Sequence, residues 1–248
     1  MHSDPWQSLR SRTSARIALG RAGGSLPTAQ CLAFAADHAD ARDAVYSQLD
    51  VQALERDLCL PILPLRSCAT DRGVYLQRPD LGRQLDQASI DLLRSKASDA
   101  VDVVLIIADG LSATAAQRHA TKVVRTLLAS LSQAGISAGP ICVATQARVA
   151  IADQIGQLLV GRLSIILIGE RPGLGNADSL GAYLTYNPGP GRTDADRNCV
   201  SNINPRHLPP AAAATTLFWL IQQSIHRRLS GVQLKDESTP VPSIGSLH

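Results

Sequence analysis

The segment Leu163–Leu180, LSIILIGERPGLGNADSL, is the most informative stretch of the chain. It begins with the continuous apolar run Ile165–Ile168, which is typical of a strand buried on both faces. The run ends in the turn Gly169–Gly173, GERPG, where proline removes a backbone donor and glycine permits left-handed turns or close backbone approach. Glu170 and Arg171 therefore follow a buried strand, at the end of the strands where open α/β sheets bind ligands. A structural turn with a surface ion pair is the alternative.

Strands and helices alternate around this segment from residue 101 onward. The predicted strands are Val101–Ala108, Pro140–Ala144, the Ile165 run and Ala182–Tyr186, and the predicted helices follow Ser112 or Thr114, span Ile151–Gly161 and span Ala211–Leu229. The first of these helices has apolar residues at helical spacing and ends at Gly135. Strands joined by helices through short loops require crossover connections, so we predict an α/β fold with a mostly parallel sheet.

The residues before this pattern are organised differently. A basic segment, which could be an arm that contacts anionic groups, a solvated arm or one that packs on another subunit, precedes a helix that begins at Thr28. A proline-containing connection, Leu58–Leu65, separates it from a second helix with Leu81, Leu85, Ala88 and Leu92 on one face. We therefore predict an N-terminal helical arm over residues 1–98, an α/β domain over 99–236 and a loose tail over 237–248.

One long segment, Asn187–Pro210, is rich in proline, glycine and asparagine and has no periodicity. Loops of this length within compact domains are usually functional or disordered. The sequence therefore predicts that Cys199 lies in a long loop near the carboxyl ends of the strands.

Composition excludes several classes of protein. The net charge is +3 and aromatic residues make up 3%, which argues against a nucleic-acid partner. No apolar run is long enough to span a membrane, and the first residues lack the apolar core of a signal peptide. Five cysteines without a CxxC pair favour reduced thiols in a cytoplasmic protein over a disulfide framework.

Common nucleotide-binding motifs are absent: the sequence contains no GxGxxG and no GxxxxGK[ST], and Ser112 does not lie in a GxSxG elbow. Asp109 is a lone acid at a strand end, which is weak support for a metal site. The residues alone therefore indicate an α/β domain whose ligand edge is formed by Asp109, Glu170 and the loop around Cys199. A stand-alone α/β enzyme that uses Asp109 and Glu170 and a cofactor-free binding module both stay open at this point.

Six segments, in order along nearly the whole chain, resemble the small subunit of ethanolamine ammonia-lyase. They are LGRAGGSLPT (19–28), DRGVYLQRPDLGR (71–83), VVLIIADGLSATA (103–115), GERPGLGNADSLGAYLTYNP (169–188), GRTDADRNCVSNI (191–203) and LSGVQLKD (229–236). The most specific of them are GERPGLG and DRNCVSNI at this spacing. A longer N-terminal extension, linked in some family members to packaging in a bacterial microcompartment, has no counterpart here, so packaging is left open.

The resemblance implies an adenosylcobalamin-dependent carbon–nitrogen lyase that converts ethanolamine to acetaldehyde and ammonia by radical chemistry. In that family the large subunit holds the substrate, and the small subunit supplies a Rossmann-like, doubly wound domain that covers the lower face of cobalamin. It therefore implies a hetero-oligomer with a large subunit, the N-terminal region packing on that partner and residues 99–236 binding the cofactor.

The resemblance also carries three cofactor-binding positions over to this chain: Val149, Glu170 and Cys199. Each has a plain alternative, since Val149 could be a packing residue, Glu170 could pair only with Arg171, and Cys199 could be a small buried thiol. It supplies no catalytic residue and no metal ligand in this chain. Of the six histidines, none lies in the DxHxxG motif that supplies a protein ligand to cobalt in other cobalamin enzymes. We therefore predict that cobalamin binds base-on, with its own benzimidazole as the lower ligand.

Overall fold

The computed structural model of the chain describes residues 6–13, 15–97 and 99–238. Its helices are α1 Gln7–Arg10, α2 Thr28–Tyr46, α3 Val51–Leu58, α4 Arg72–Gln77, α5 Gln87–Lys96, α6 Ala113–Gln133, α7 Ile151–Leu158 and α8 Pro210–Arg227. Its strands are β1 Ile62–Arg66, β2 Val101–Ala108, β3 Ile141–Thr145, β4 Gly161–Gly169, β5 Leu180–Tyr186 and β6 Arg197–Ile203. Across these described residues, we find no helix with the length and apolar character needed to cross a membrane.

The six strands form one mixed sheet in the order β1-β3-β2-β4-β5-β6. Strand β3 pairs in parallel with β1 and β2, and β2 pairs in parallel with β4. Strand β5 runs antiparallel to both β4 and β6. This arrangement confirms the predicted α/β class and the mostly parallel sheet, with an antiparallel extension at one side.

The core lies on both faces of the central strands. Val103, Leu105 and Ile107 of β2 pack in a cluster with α6 and α8, whereas Val104 and Ile106 pack in a second cluster with α7. Successive side chains of a strand point to opposite faces, so β2 is buried on both sides. Full burial of each such side chain stabilises the fold by roughly 1.5–3 kcal/mol.

Helix α6 follows the sequence prediction closely. Its N-cap is Ser112, whose hydroxyl accepts a hydrogen bond from the Ala115 N–H at 3.2 Å. The chain leaves the helix at Gly135, which has a φ of +67° that favours glycine. The predicted apolar face is entirely buried and comprises Ala116, Ala120, Val123, Val124, Leu127 and Leu131.

Two strands lie where the sequence predicts none. Strand β1 occupies the proline-containing connection, and it tolerates Pro64 because it is an edge strand that needs fewer backbone donors. The prediction of a loop over all of Asn187–Pro210 is wrong, because strand β6 lies within this segment. Its buried residues, Arg197, Val200 and Ile203, do not alternate regularly. A register shift in the β5–β6 ladder separates Val200 from Ile203, and Arg197 is buried by its ion pair with Asp153, so the period of two that marks a strand is hidden.

The predicted helix with Leu81, Leu85, Ala88 and Leu92 on one face is also wrong in its first part. Helix α5 begins only at Gln87, because Asp86 caps it by accepting a hydrogen bond from the Ser89 N–H at 2.8 Å. The preceding residues form a short 3₁₀ turn, Leu81–Arg83.

Helix α2 is present as predicted but packs little against the rest of the chain. Leu32, Phe34 and Tyr46 are 66%, 49% and 62% exposed, and Ala44 is the buried residue of this helix. The division of the chain at residue 98 stays a prediction, and β1, which precedes that boundary, belongs to the sheet. Residues 239–248 of the predicted tail lie outside the described residues.

Candidate functional site

The carboxyl ends of β2, β3 and β4 meet at one edge of the sheet. Asp109 follows β2, Gln146 follows β3 and Glu170 follows β4. The parallel pairing of these strands brings the three following loops together, because parallel neighbours end at the same edge. The geometry thus places the Glu170 turn beside the Asp109 loop.

Asp109 holds this edge together from within. Its carboxylate is buried and accepts hydrogen bonds from the N–H groups of Gln146 at 2.7 Å, Ala147 at 3.0 Å and Gly110 at 2.9 Å. Burial raises the pKa of Asp109, while these N–H groups and the Arg72 guanidinium 3.8 Å away oppose the rise. Because both oxygens bind backbone donors of two adjacent loops, Asp109 positions the loops and is poorly placed to act as a catalytic acid.

Two glycines let the loops after β2 and β4 touch. A Cβ on Gly110, whose φ is +55°, would lie 2.2 Å from the Gly169 carbonyl oxygen. A Cβ on Gly169 would lie 2.0 Å from the Ser112 carbonyl oxygen. The close backbone approach expected at Gly169 is therefore present, and Leu111 donates its N–H to the Gly169 carbonyl at 2.9 Å.

A cavity of about 380 Å³, the first cavity below, opens at this edge. Its wall combines the turn after β4 with the loops after β2 and β3 and with side chains of α4 and β5. The lining residues are Tyr75, Gly110, Leu111, Arg148, Val149, Ile168, Gly169, Glu170, Arg171 and Tyr183. Two of the three predicted cofactor-binding residues, Val149 and Glu170, therefore face one space.

Glu170 is held by polar neighbours other than Arg171. Its carboxylate accepts hydrogen bonds from the Ser179 hydroxyl at 2.5 Å and from the Asn202 N–H at 3.3 Å. Within the described ranges, no ion pair joins Glu170 to Arg171, so pairing with Arg171 is not what orients the carboxylate. The side chain is half-buried and can accept further hydrogen bonds from a ligand in the first cavity.

Cys199 lies on β6 rather than in a loop, directly opposite Tyr183 of β5 in the ladder. Cys199 is exposed as a residue, which argues against a small buried thiol, although its sulfur is partly shielded beside Tyr183. Loss of hydration raises the pKa of Cys199 and the pKa of Tyr183, which hydrogen-bond each other and both lie near the Glu170 carboxylate. Both groups therefore keep their protons near neutral pH, and Cys199 is not an activated nucleophile.

Val149 has a double position. It is half-buried, packs against the cluster beneath α7, and borders the first cavity just before α7 begins. Val149 therefore contributes to packing and also lines the cavity, so the two interpretations of this residue are compatible.

The sequence analysis missed Tyr75 and its two arginines. The Tyr75 ring is fully buried, with the guanidinium carbons of Arg72 and Arg148 at 4.6 and 4.2 Å from its centroid. The Tyr75 hydroxyl donates to the Ala147 carbonyl at 3.1 Å, and Arg148 donates to the Tyr75 carbonyl at 3.2 Å across 73 positions. No local motif predicts a contact between residues so far apart in sequence. The available signal was the position of Arg148 shortly after the end of β3, where a ligand-binding side chain can be expected.

The described histidines lie elsewhere. His119 is buried on α6 near Asp178, His207 is next to Asn204, and His38 and His226 are on α2 and α8. None of these four lines the first cavity. In the described part of the chain, no group of three or more histidine, cysteine, aspartate or glutamate residues is arranged to hold a metal ion.

Comparison with known proteins identifies the family of this chain. The family model described as ethanolamine ammonia-lyase light chain (EutC) matches residues 3–235. The small subunit of Azotobacter vinelandii ethanolamine ammonia-lyase is 52% identical over 241 residues, covering 95% of this chain and 89% of the relative. The corresponding subunit of Ralstonia nicotianae is 51% identical over 245 residues, covering 96% and 90%. This chain therefore belongs to the ethanolamine ammonia-lyase small-subunit family.

Proposed function

We propose that this chain, together with a large subunit, forms an adenosylcobalamin-dependent ethanolamine ammonia-lyase that yields acetaldehyde and ammonia. In this assembly the chain covers the lower face of the cobalamin, and the large subunit holds the substrate. The observation that carries the proposal is the first cavity, where Val149 and Glu170 share one wall and Cys199 contacts its neighbour Tyr183.

The residues of the first cavity fit the rim of a cobalamin. That rim carries amide side chains, which need both acceptors and donors. Glu170 is a half-buried acceptor, and the buried Nε of Arg148 has no hydrogen-bond partner among the described residues, so it is a donor free for a ligand. An unpaired buried donor costs free energy until it finds an acceptor, so this atom favours a polar occupant.

When bound, adenosylcobalamin supplies the radical initiator through its cobalt–carbon bond. The role of this chain is to orient the ring system and to exclude water from one side of it. The Asp109 hydrogen bonds to the loops after β2 and β3 make the cavity wall rigid, which favours a fixed orientation of the bound group. Val149, Glu170 and Cys199 are the residues that we assign to cofactor contact.

The finer architecture follows the same proposal. We interpret the sheet as Rossmann-like and doubly wound, which is supported by α6 and α7 packing on opposite faces of β2. We propose that the N-terminal region with its exposed helix α2 packs on the large subunit. A cytoplasmic location, free or within a microcompartment, is part of this proposal.

The lower ligand of cobalt is proposed to be the cofactor's own benzimidazole. This is supported by the lining of the first cavity, which includes none of the four described histidines, and His2 and His248 lie outside the described residues. Electron paramagnetic resonance of the cob(II)alamin state, with ¹⁵N-histidine protein, tests it. A superhyperfine pattern that changes with the label would identify a protein ligand and refute the base-on state.

Co-expression with a large subunit, followed by assays with and without adenosylcobalamin, tests the function. We expect ammonia and acetaldehyde only when both chains and the cofactor are present. Turnover by the isolated chain would instead support a stand-alone enzyme. Association with the large subunit that gains neither activity nor cobalamin binding would support a cofactor-free module.

A further inference from the structure

A second cavity adjoins the first and is bordered by four arginines. Its volume is about 400 Å³, and it shares Arg148 and Val149 with the first cavity. We call it the arginine cavity, and its lining residues are Pro79, Arg83, Arg148, Val149, Ala150, Arg192, Thr193, Asp194 and Arg197. A ligand seated in the first cavity could therefore extend past Arg148 into this space.

The arginines differ in how far the protein already uses them. Arg83 is exposed and, within the described ranges, takes part in no side-chain hydrogen bond or ion pair. Arg192 donates to the Asn187 carbonyl at 2.9 Å and lies 3.6 Å from Asp196. Arg197 forms a bidentate pair with Asp153, at 2.7 Å for both contacts. Arg83 is thus the guanidinium most available to a ligand.

Two buried donors at the arginine cavity have no hydrogen-bond partner in the described structure. The Arg197 side chain is 2% exposed, and its Nε lies 3.6 Å from Asp194, beyond hydrogen-bond distance. The Nε of Arg148 is the second such donor. Buried donors left unpaired in this way are unusual, so each is a candidate partner for an acceptor in the arginine cavity.

The start of α7 adds partial positive charge to the arginine cavity. Val149 and Ala150 precede the helix, and α7 has no side-chain N-cap hydrogen bond. Peptide dipoles place partial positive charge at such a helix start and favour an anion there. The nearby carboxylates are Asp153, which Arg197 neutralises, Asp196, which faces Arg192, and the exposed Asp194. The positive groups outnumber them, so the arginine cavity favours an anion.

We infer that the arginine cavity binds the phosphodiester of the cofactor's nucleotide tail, with Arg83 supplying the principal charge. This inference rests on the proposed function, because it assigns the phosphate of the same cofactor to a neighbouring space. Two oxygens of one phosphate match the spacing of two guanidinium N–H donors, so arginine can bind phosphate through a bidentate pair of hydrogen bonds. The buried Nε of Arg197 provides a further donor beside the same anion.

The test compares binding of three corrinoids to the complex of this chain with its large subunit. Cobalamin contains the phosphate and the base, cobinamide phosphate keeps the phosphate without the base, and cobinamide lacks both. Absorbance titration gives the dissociation constant of each without any need for turnover. We expect Arg83→Gln to weaken cobalamin and cobinamide phosphate about tenfold, as for loss of a partly exposed charged hydrogen bond, and to leave cobinamide unchanged.

Matched variants separate charge from folding. Arg83→Lys keeps the charge and is expected to recover part of the loss, whereas Arg227→Gln, at the exposed end of α8, is expected to change nothing. An equal effect of Arg83→Gln on all three corrinoids, or none on cobalamin, would overturn the inference and leave the proposed function intact. Binding of inorganic phosphate to the cobalamin-saturated complex that depends on Arg83 would also overturn it. Failure of the wild-type complex to bind cobalamin at all would overturn both.

Discussion

Replacement of Glu170 tests the cofactor site most directly, because two substitutions there separate binding from folding. Glu170→Gln removes the charge but keeps an acceptor for the Ser179 hydroxyl, now 2.5 Å from the carboxylate. Glu170→Ala removes both and leaves the buried Ser179 hydroxyl without its acceptor. A hydrogen bond to a charged group contributes about 1.5–3 kcal/mol when buried, and partial exposure of Glu170 reduces this to about 1–2 kcal/mol.

We therefore expect both variants to weaken cobalamin binding by the complex about 5- to 30-fold. Only Glu170→Ala is expected to lower the free energy of unfolding noticeably, by about 1–3 kcal/mol for an unpaired buried hydroxyl. Corrinoid titration measures the first effect and urea unfolding the second. The chain has three glutamates, and Glu55→Gln on the exposed side of α3 is the matched control. Wild-type affinity in Glu170→Gln would show that the carboxylate only ties the turn to Ser179 and Asn202.

Three further predictions concern stability. Asp153→Ala should lower the free energy of unfolding by about 3–5 kcal/mol, because it leaves the buried Arg197 guanidinium without its carboxylate. The double replacement Asp153→Leu with Arg197→Met should lower the free energy of unfolding less, as measured by urea unfolding, and equal losses would refute the pairing argument. Gly169→Ala should lower the melting temperature, because its Cβ would lie 2.0 Å from a backbone oxygen at the start of α6. The control Gly24→Ala, whose Cβ would meet no atom within 4 Å, should leave the melting temperature unchanged, and equal melting temperatures of the two variants would contradict the close approach. Burial raises the pKa of Tyr75 to about 12 from its usual 10.0, so the stability contributed by the neutral Tyr75 hydroxyl is complete below pH 10 and is lost as the pH rises toward 12. Tyr75→Phe should make the free energy of unfolding less dependent on pH between 10 and 12, and an unchanged dependence would refute the assignment.

Sequence periodicity was sufficient for the elements whose burial follows a regular spacing. Helix α6 has six apolar residues at helical intervals, and β2 and β4 each contain a continuous apolar run, so their positions were predictable. Strand β6 was not, because an arginine buried against Asp153 at one end and a register shift at the other give it an irregular pattern. Edge strand β1 was hidden by Pro64, since proline within a run normally argues against a strand.

The candidate site divides along the same line. The position of Glu170 after a buried strand could be predicted from local sequence, because strand ends define the ligand edge of a parallel sheet. The role of Asp109 could not, because a lone acid at a strand end gives no sign that three N–H groups will surround it. Tyr75 and Arg148 come into contact only in the tertiary fold, so no sequence motif predicts their contact.

The exposed helix α2 and the open first cavity have a common explanation in a second chain. Nineteen residues of helix with Leu32, Phe34 and Tyr46 about half or more exposed bury little apolar surface within this chain. Isolated helices are held chiefly by packing of one face, so a helix left in this state gains most from an external surface. The first cavity likewise opens at the edge of the sheet, and under the proposed function a cofactor seated there would keep its outer face in water. Under the proposed function, a large subunit that contacts α2 and closes the cavity would satisfy both requirements, and assembly of the two chains would then be linked to retention of the cofactor.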